Sequence, residues 1–100
     1  MNDFETISNF VGFTIRELRL NAGFKSYEQF AHRHELSRIQ YWKMENGNNF
    51  TLKSLLIILN IHQIELCYFL QLVENKMMNF SSNTGPSLRM QMLIDYSQLS

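Results

Sequence analysis

The stretch Ser26 to Gly47, SYEQFAHRHELSRIQYWKMENG, decides the fold. It holds two S-x-x-Q patterns, Ser26 with Gln29 and Ser37 with Gln40. In a capping box the serine hydroxyl accepts an otherwise unpaired N–H of the first helical turn, and the glutamine reaches back to the serine's own N–H. Each pattern therefore predicts a helix start. Asn46-Gly47 predicts a helix stop, because glycine adopts the left-handed closing conformation at little cost. The expectation is one helix from about Ser26 to His34, a tight turn, and a second from about Ser37 to Asn46. Helices of about two to three turns are not stable by themselves. The rest of the chain is expected to hold them.

At roughly 100° per residue, the second of these helices divides into two sides. Tyr41 and Met44 fall on one. Ile39, Trp42, Lys43 and Asn46 fall on the other, with Arg38 at its N-terminal edge. In the first of the pair, Phe30 and Ala31 are expected to face inward, the small alanine letting another helix approach closely.

Working outward, Phe4, Ile7, Val11, Ile15, Leu18 and Ala22 recur at spacings of three and four, the stripe of an amphipathic helix. Asn2 or Asp3 can cap it and Gly23 can end it. Phe10 and Phe13 lie off the stripe, as a second contact surface. After the central stretch, Thr51 predicts the cap of a fourth helix with Leu52, Leu55, Leu56 and Leu59 buried. A short break at Asn60-Ile61-His62 precedes a fifth helix, from Gln63 to about Glu74, through Ile64, Cys67, Tyr68 and Leu72. Its apolar density predicts burial on more than one side. Residues 77–86 have the composition of a linker, and Gly85-Pro86 is a strong breaker. A last helix is expected from Ser87 to about Gln98, within a C-terminal tail of residues 87–100 suited to dimerisation or to a protein partner. No strand-like alternation persists. The expected class is all-α, with one domain over residues 1–76.

The 100 residues carry 45% hydrophobic and 18% charged side chains, ordinary values for a globular domain. A lone Cys67 excludes an intramolecular disulfide and fits a reducing compartment. The acidic start MNDFE lacks the basic region of a secretory signal. Lys53, Asn60, His62, Gln63 and Glu65 interrupt the greasiest stretch, against a membrane span. A cytoplasmic protein without a membrane partner is expected. Net charge is zero. The window from Arg16 to Glu45 holds six bases and four acids, a mild local excess of positive charge. Enzymatic constellations are missing. His32 and His34 stand two apart and lack the i, i+4 spacing of a helical metal pair, Cys67 has no identifiable partner histidine, and no glycine-rich phosphate loop occurs. No catalytic residue, metal or cofactor is expected.

Taken in order, Ile15-Arg16-Glu17-Leu18-Arg19, Gly23, Phe30-Ala31, Leu36-Ser37-Arg38, Tyr41, Met44-Glu45-Asn46-Gly47 and Thr51-Leu52-x-x-Leu55-Leu56 resemble a known family. It is the helix-turn-helix domain of the Cro and phage-repressor type, also called the xenobiotic response element family. The resemblance covers about residues 7–73. It implies a five-helix, lambda-repressor-like DNA-binding domain whose third helix enters the major groove while the second crosses the backbone above it. Carried over by position, Arg38, Ile39, Gln40 and Lys43 contact bases, and Ser26, Tyr27, Asn46 and Lys53 contact phosphates. Trp42 is a contact to DNA or to a protein partner. Arg19 and Glu45 match a structural ion pair joining the first and third helices. The resemblance implies a transcriptional regulator that binds double-stranded DNA as a homodimer. The other reading is a protein-interaction module, antitoxin-like or an adaptor, using the helical domain and the apolar tail.

The chain departs from the family pattern in three places. Glu35 occupies the turn position usually held by glycine, so either the turn relaxes or a non-glycine residue takes positive φ. His34 stands where an apolar residue is usual. The Lys25 region is one residue longer than in the shortest members.

Overall fold

Four polar side chains set the helix starts. In the computed structural model, which describes residues 3–48 and 50–81, Asp3, Ser26, Ser37 and Thr51 each accept a backbone N–H three residues on. The donors are Thr6, Gln29, Gln40 and Ser54, at 3.0, 3.0, 3.3 and 3.1 Å. Each such cap is worth about 1 kcal/mol. The helices they open are α1 (Phe4–Asn21), α2 (Tyr27–Arg33), α3 (Arg38–Glu45) and α4 (Leu52–Ile61). A fifth, α5, spans Leu66–Ser81. Among the described residues the glutamine half of the expected boxes does not form: neither Gln29 nor Gln40 reaches back to its serine.

The helix ends share one device. At the close of α1, α2, α3 and α4 the chain turns through a residue with positive φ: Gly23 (96°), Glu35 (57°), Gly47 (74°) and Gln63 (57°). Each turn is locked by a pair of backbone bonds, the outer ones being Phe24 to Arg19, Leu36 to Ala31, Asn48 to Lys43 and Ile64 to Leu59. These are Schellman motifs. Two of them use glycine, for which the left-handed region is open. Glu35 and Gln63 adopt it against a penalty of about 1–2 kcal/mol each. The α2–α3 turn therefore keeps a tight geometry with a carboxylate-bearing residue at positive φ.

The core gathers around Phe30. Its ring stacks against Tyr41 at 4.9 Å and His62 at 5.2 Å, and meets His34 at 4.6 Å and Phe24 at 5.3 Å. His34 is half-buried and used as an aromatic plate. Val11, Ile15, Ala31, Met44, Leu55, Ile58, Leu59, Phe69 and Val73 complete the buried set.

Several expected faces are corrected. In α1 the buried side is Ser8, Val11, Gly12, Thr14, Ile15 and Arg19, whereas Phe4 and Ala22 are exposed. Gly12 makes a close backbone contact on that side. A Cβ on it would come within 2.6 Å of the Glu45 carbonyl oxygen and 2.8 Å of Gly47 N, so α1 lies with its backbone against the end of α3. Small residues rather than the large apolar stripe make that approach. In α4, Leu52 and Leu56 are exposed and Ile58 is buried in their place. Asn60 and Ile61 belong to α4, and the break falls after them. In α5, Phe69 and Val73 are buried while Cys67 and Tyr68 are exposed. That helix runs from Leu66 to Ser81 rather than from Gln63 to near Glu74, and takes in part of the expected linker.

α4 and α5 meet at 98°. No single helix among the described residues is long and apolar enough to cross a membrane. The described chain is a compact all-α domain of five helices. The expected last helix and the tail of residues 87–100 lie outside the described residues.

Candidate functional site

The outer side of α3 is what the rest of the fold presents. Tyr41 and Met44 are buried, so the helix is gripped along one side only. Arg38, Ile39, Gln40, Trp42, Lys43 and Asn46 are exposed, with Ile39 at 64% and Trp42 at 43% of their full accessibility. Two cations, an isoleucine and a tryptophan on one exposed face combine charge with a large apolar area. Solubility alone calls for neither Ile39 nor Trp42 there.

Three supports fix this helix. At its start Ser37 caps it, and Leu36 is half-buried against the core. At its end the Gly47 turn closes it against α1, with Gly12 giving the close approach. The third support is ionic. Arg19 Nε and Nη2 donate to the two carboxylate oxygens of Glu45 at 2.7 and 3.1 Å, and Arg19 Nη1 donates to the Phe24 carbonyl at 2.8 Å. Both side chains are almost fully enclosed, at 5% and 6% exposure. One guanidinium thus ties α1, the loop before α2 and the last residue of α3. The hydrogen bond to Glu45 holds the Arg19 guanidinium above its already high range. Burial and the neighbouring Glu45 carboxylate push the Tyr41 hydroxyl above the usual phenol range. That hydroxyl is enclosed and has no hydrogen-bond partner among the described residues.

The remaining positions are distributed around this face. Arg38 Nη1 approaches Glu28 Oε2 at 3.4 Å, an exposed pair linking α3 to α2 and worth at most about 1 kcal/mol. Lys43 has no acidic partner among the described residues. Asn46 is exposed and donates its side-chain amide to the Trp42 carbonyl at 2.8 Å. Ser26 spends its oxygen on the α2 cap, while Tyr27 is half-buried against the core. Lys53 is exposed on the first turn of α4. Glu35 is exposed in the α2–α3 turn, on the chain just ahead of α3.

Two hollows went unread in the sequence. A pocket of about 340 Å³ opens between α3 and α4, lined in part by Tyr41, Met44, Ile58, Phe50, Ser54 and Lys43. The other lies between α1 and α5, where Phe10 meets Phe80 edge-on at 5.9 Å and Lys76 pairs with Glu17. Phe13 stands exposed at its edge, so the second aromatic surface of α1 is one wall of this groove. Gly12 was equally unread, although a glycine inside a helical pattern is itself a signal of close packing. No family model matches the chain, and neither does any curated protein or solved structure.

Proposed function

We propose that the chain is a sequence-specific DNA-binding regulator of the Cro and phage-repressor type, lambda-repressor-like in fold, that lays α3 in the major groove. The observation that carries this reading is the divided surface of α3, with Tyr41 and Met44 buried and Arg38, Ile39, Gln40, Trp42 and Lys43 outward. In this role Arg38 and Lys43 donate to guanine O6 and N7, and Ile39 packs on a thymine methyl. Gln40 reads an adjacent edge. Ser26, Tyr27, Asn46 and Lys53 hold phosphates and set the register. Arg38 leaves Glu28 on binding, at little cost for so exposed a pair.

One such helix reads only a few base pairs, so two copies on a two-fold operator are the expected assembly. Exposed Leu56 and Ile57 on α4, and Leu66 and Leu70 on α5, supply apolar surface for a second copy. The other reading is a protein-interaction module. Exposed Trp42 and Phe13, a net charge of zero and the Glu35 carboxylate at the turn favour it.

Selection of duplexes from a random pool at low salt, with the mass of the bound species recorded, separates the two. DNA binding predicts a palindromic site, two copies bound, and affinity that falls steeply as salt rises. Arg38→Ala should then lose about 1–3 kcal/mol and relax the preference at one base position. No enrichment at low salt would sink the DNA reading and leave the interaction module.

A further inference from the structure

We propose that the pocket between α3 and α4 binds a small aromatic carboxylate, its ring over Leu36, Phe50 and Ile57 and its charge met by Lys43. The volume, about 340 Å³, lies at the small end of sites that enclose organic ligands and suits one ring system with a short arm. Leu36 and Phe50 are half-buried and Ile57 is exposed, so these three present the apolar surface of the pocket, with buried Tyr41, Met44 and Ile58 beneath them. Exposed polar residues stand at the mouth, among them Gln40, Lys43 and Thr51.

Charge selects the ligand. Lys43 is the sole charged side chain among the described residues of the lining, and it has no acidic partner there. No carboxylate is present in that lining to satisfy a cation. An apolar floor draws a ring out of water in proportion to the area covered. A free ammonium at the edge adds a charge-assisted bond to an anion and gives a cationic ring nothing. The first turn of α4 opens at the same mouth through Thr51 and Ser54, and its dipole also favours negative charge.

The position has a regulatory consequence. Lys43 and Gln40 are two of the side chains assigned above to DNA. A carboxylate that holds Lys43 withdraws one cation and places a negative charge beside the groove-facing edge. This competition rests on the DNA reading; the ligand site does not.

The test is a titration of the full chain followed by NMR of the Met44 and Ile58 methyl groups. The probes are benzoate, cinnamate and indole-3-acetate, with cinnamyl alcohol and inorganic phosphate as comparisons. At least one aromatic carboxylate should saturate with a Kd tighter than about 1 mM and move both methyls. Cinnamyl alcohol should bind about tenfold more weakly, the loss of one charge-assisted contact. Lys43→Met should weaken the carboxylate about tenfold and leave the alcohol unchanged. Ser54→Trp, which fills the mouth, should abolish both while the remaining spectrum reports the same fold. Absence of saturation by all three carboxylates overturns the site. So does an unchanged carboxylate affinity in Lys43→Met, or phosphate moving the same methyls at the same concentration. With a selected duplex in hand, the bound carboxylate should lower the affinity for DNA about tenfold in the parent and not in Ser54→Trp. A duplex that binds and is not displaced overturns the competition. A chain that selects no duplex overturns the DNA reading, and the titration alone then decides the ligand site.

Discussion

Gly12→Ala sets two effects of opposite sign against each other. In a solvent-facing helix the change stabilises by about 1 kcal/mol, because alanine loses less backbone freedom than glycine. Here the new Cβ meets three backbone atoms of the α3 terminus: Glu45 O at 2.6 Å, Gly47 N at 2.8 Å and Met44 O at 2.8 Å. Ordinary contact begins near 3.4 Å, so the helices must separate locally by about 0.6–0.8 Å. Side chains relieve overpacking by rotating, but backbone carbonyls locked in a closing turn do not. The penalty therefore falls at the upper end of the usual range, about 3 kcal/mol. The net expectation is a loss of about 2 kcal/mol, or a fall in Tm of about 8–16 °C for a domain of this size. Urea denaturation of parent and variant at matched concentration measures it, with an unchanged m-value showing that the same surface unfolds. A variant as stable as the parent, or more so, would refute the backbone-to-backbone packing of α1 on α3.

Arg19→Met strands the Glu45 carboxylate in an enclosed site and should cost about 3–5 kcal/mol in the same assay. The double variant Arg19→Met/Glu45→Leu should recover most of that loss, and a double variant no better than the single would show that the pair is not what holds α3. Glu35→Gly relieves the positive φ of the α2–α3 turn. It should raise stability by about 0.5–1 kcal/mol after the extra freedom glycine gains in the unfolded chain is subtracted, read from the urea midpoint; a loss would mean the carboxylate contributes something the turn geometry does not reveal. Burial, with nearby His34 adding to it, lowers the pKa of His62 from 6.5. The unfolded chain then binds more protons, so stability is full above about pH 6.5 and is lost as pH falls from there through the folded value. The groups facing His62 are His34 from the end of α2 and the ring of Phe30, beyond which stands Tyr41. Thermal melts from about pH 8 to about pH 5 should show a slope that flattens in His62→Gln; equal slopes would remove His62 as its source.

The parts of this fold that were legible beforehand are those written in local chemistry. Asp3, Ser26, Ser37 and Thr51 announce helix starts because a short side-chain oxygen suits an orphaned N–H better than it suits a helix interior. Gly23 and Gly47 announce ends for the converse steric reason. The division of α3 was legible too, since Tyr41 and Met44 are one turn apart and share a side of the helix. α4 was not. Seven of its ten residues are apolar, so the periodic contrast that separates Ile58 from Leu52 is missing, and packing against α5 decides the matter. In α1 the stripe marked Val11 and Ile15, which are buried, but Ser8, Gly12 and Thr14 eluded it because they are chosen for smallness, a property that a hydrophobic stripe does not register. The turns at Glu35 and Gln63 lack the glycine that would mark them. The pocket between α3 and α4 is assembled from residues up to 22 positions apart, Leu36 to Ile58, and no spacing rule reaches that far.

The three bonds of Arg19 bear on how α3 comes loose. A helix of eight residues ordinarily frays from its ends, and its amides exchange with solvent through small local openings. The C-terminal end of α3 cannot open that way without releasing Glu45, which leaves a guanidinium facing the Phe24 carbonyl in a closed space. Its last amide hydrogens are thus bound to the fate of α1. In a hydrogen-exchange experiment the Tyr41 to Glu45 amides should exchange in step with the middle of α1, as one cooperative unit, although 26 residues separate Arg19 from Glu45 along the chain.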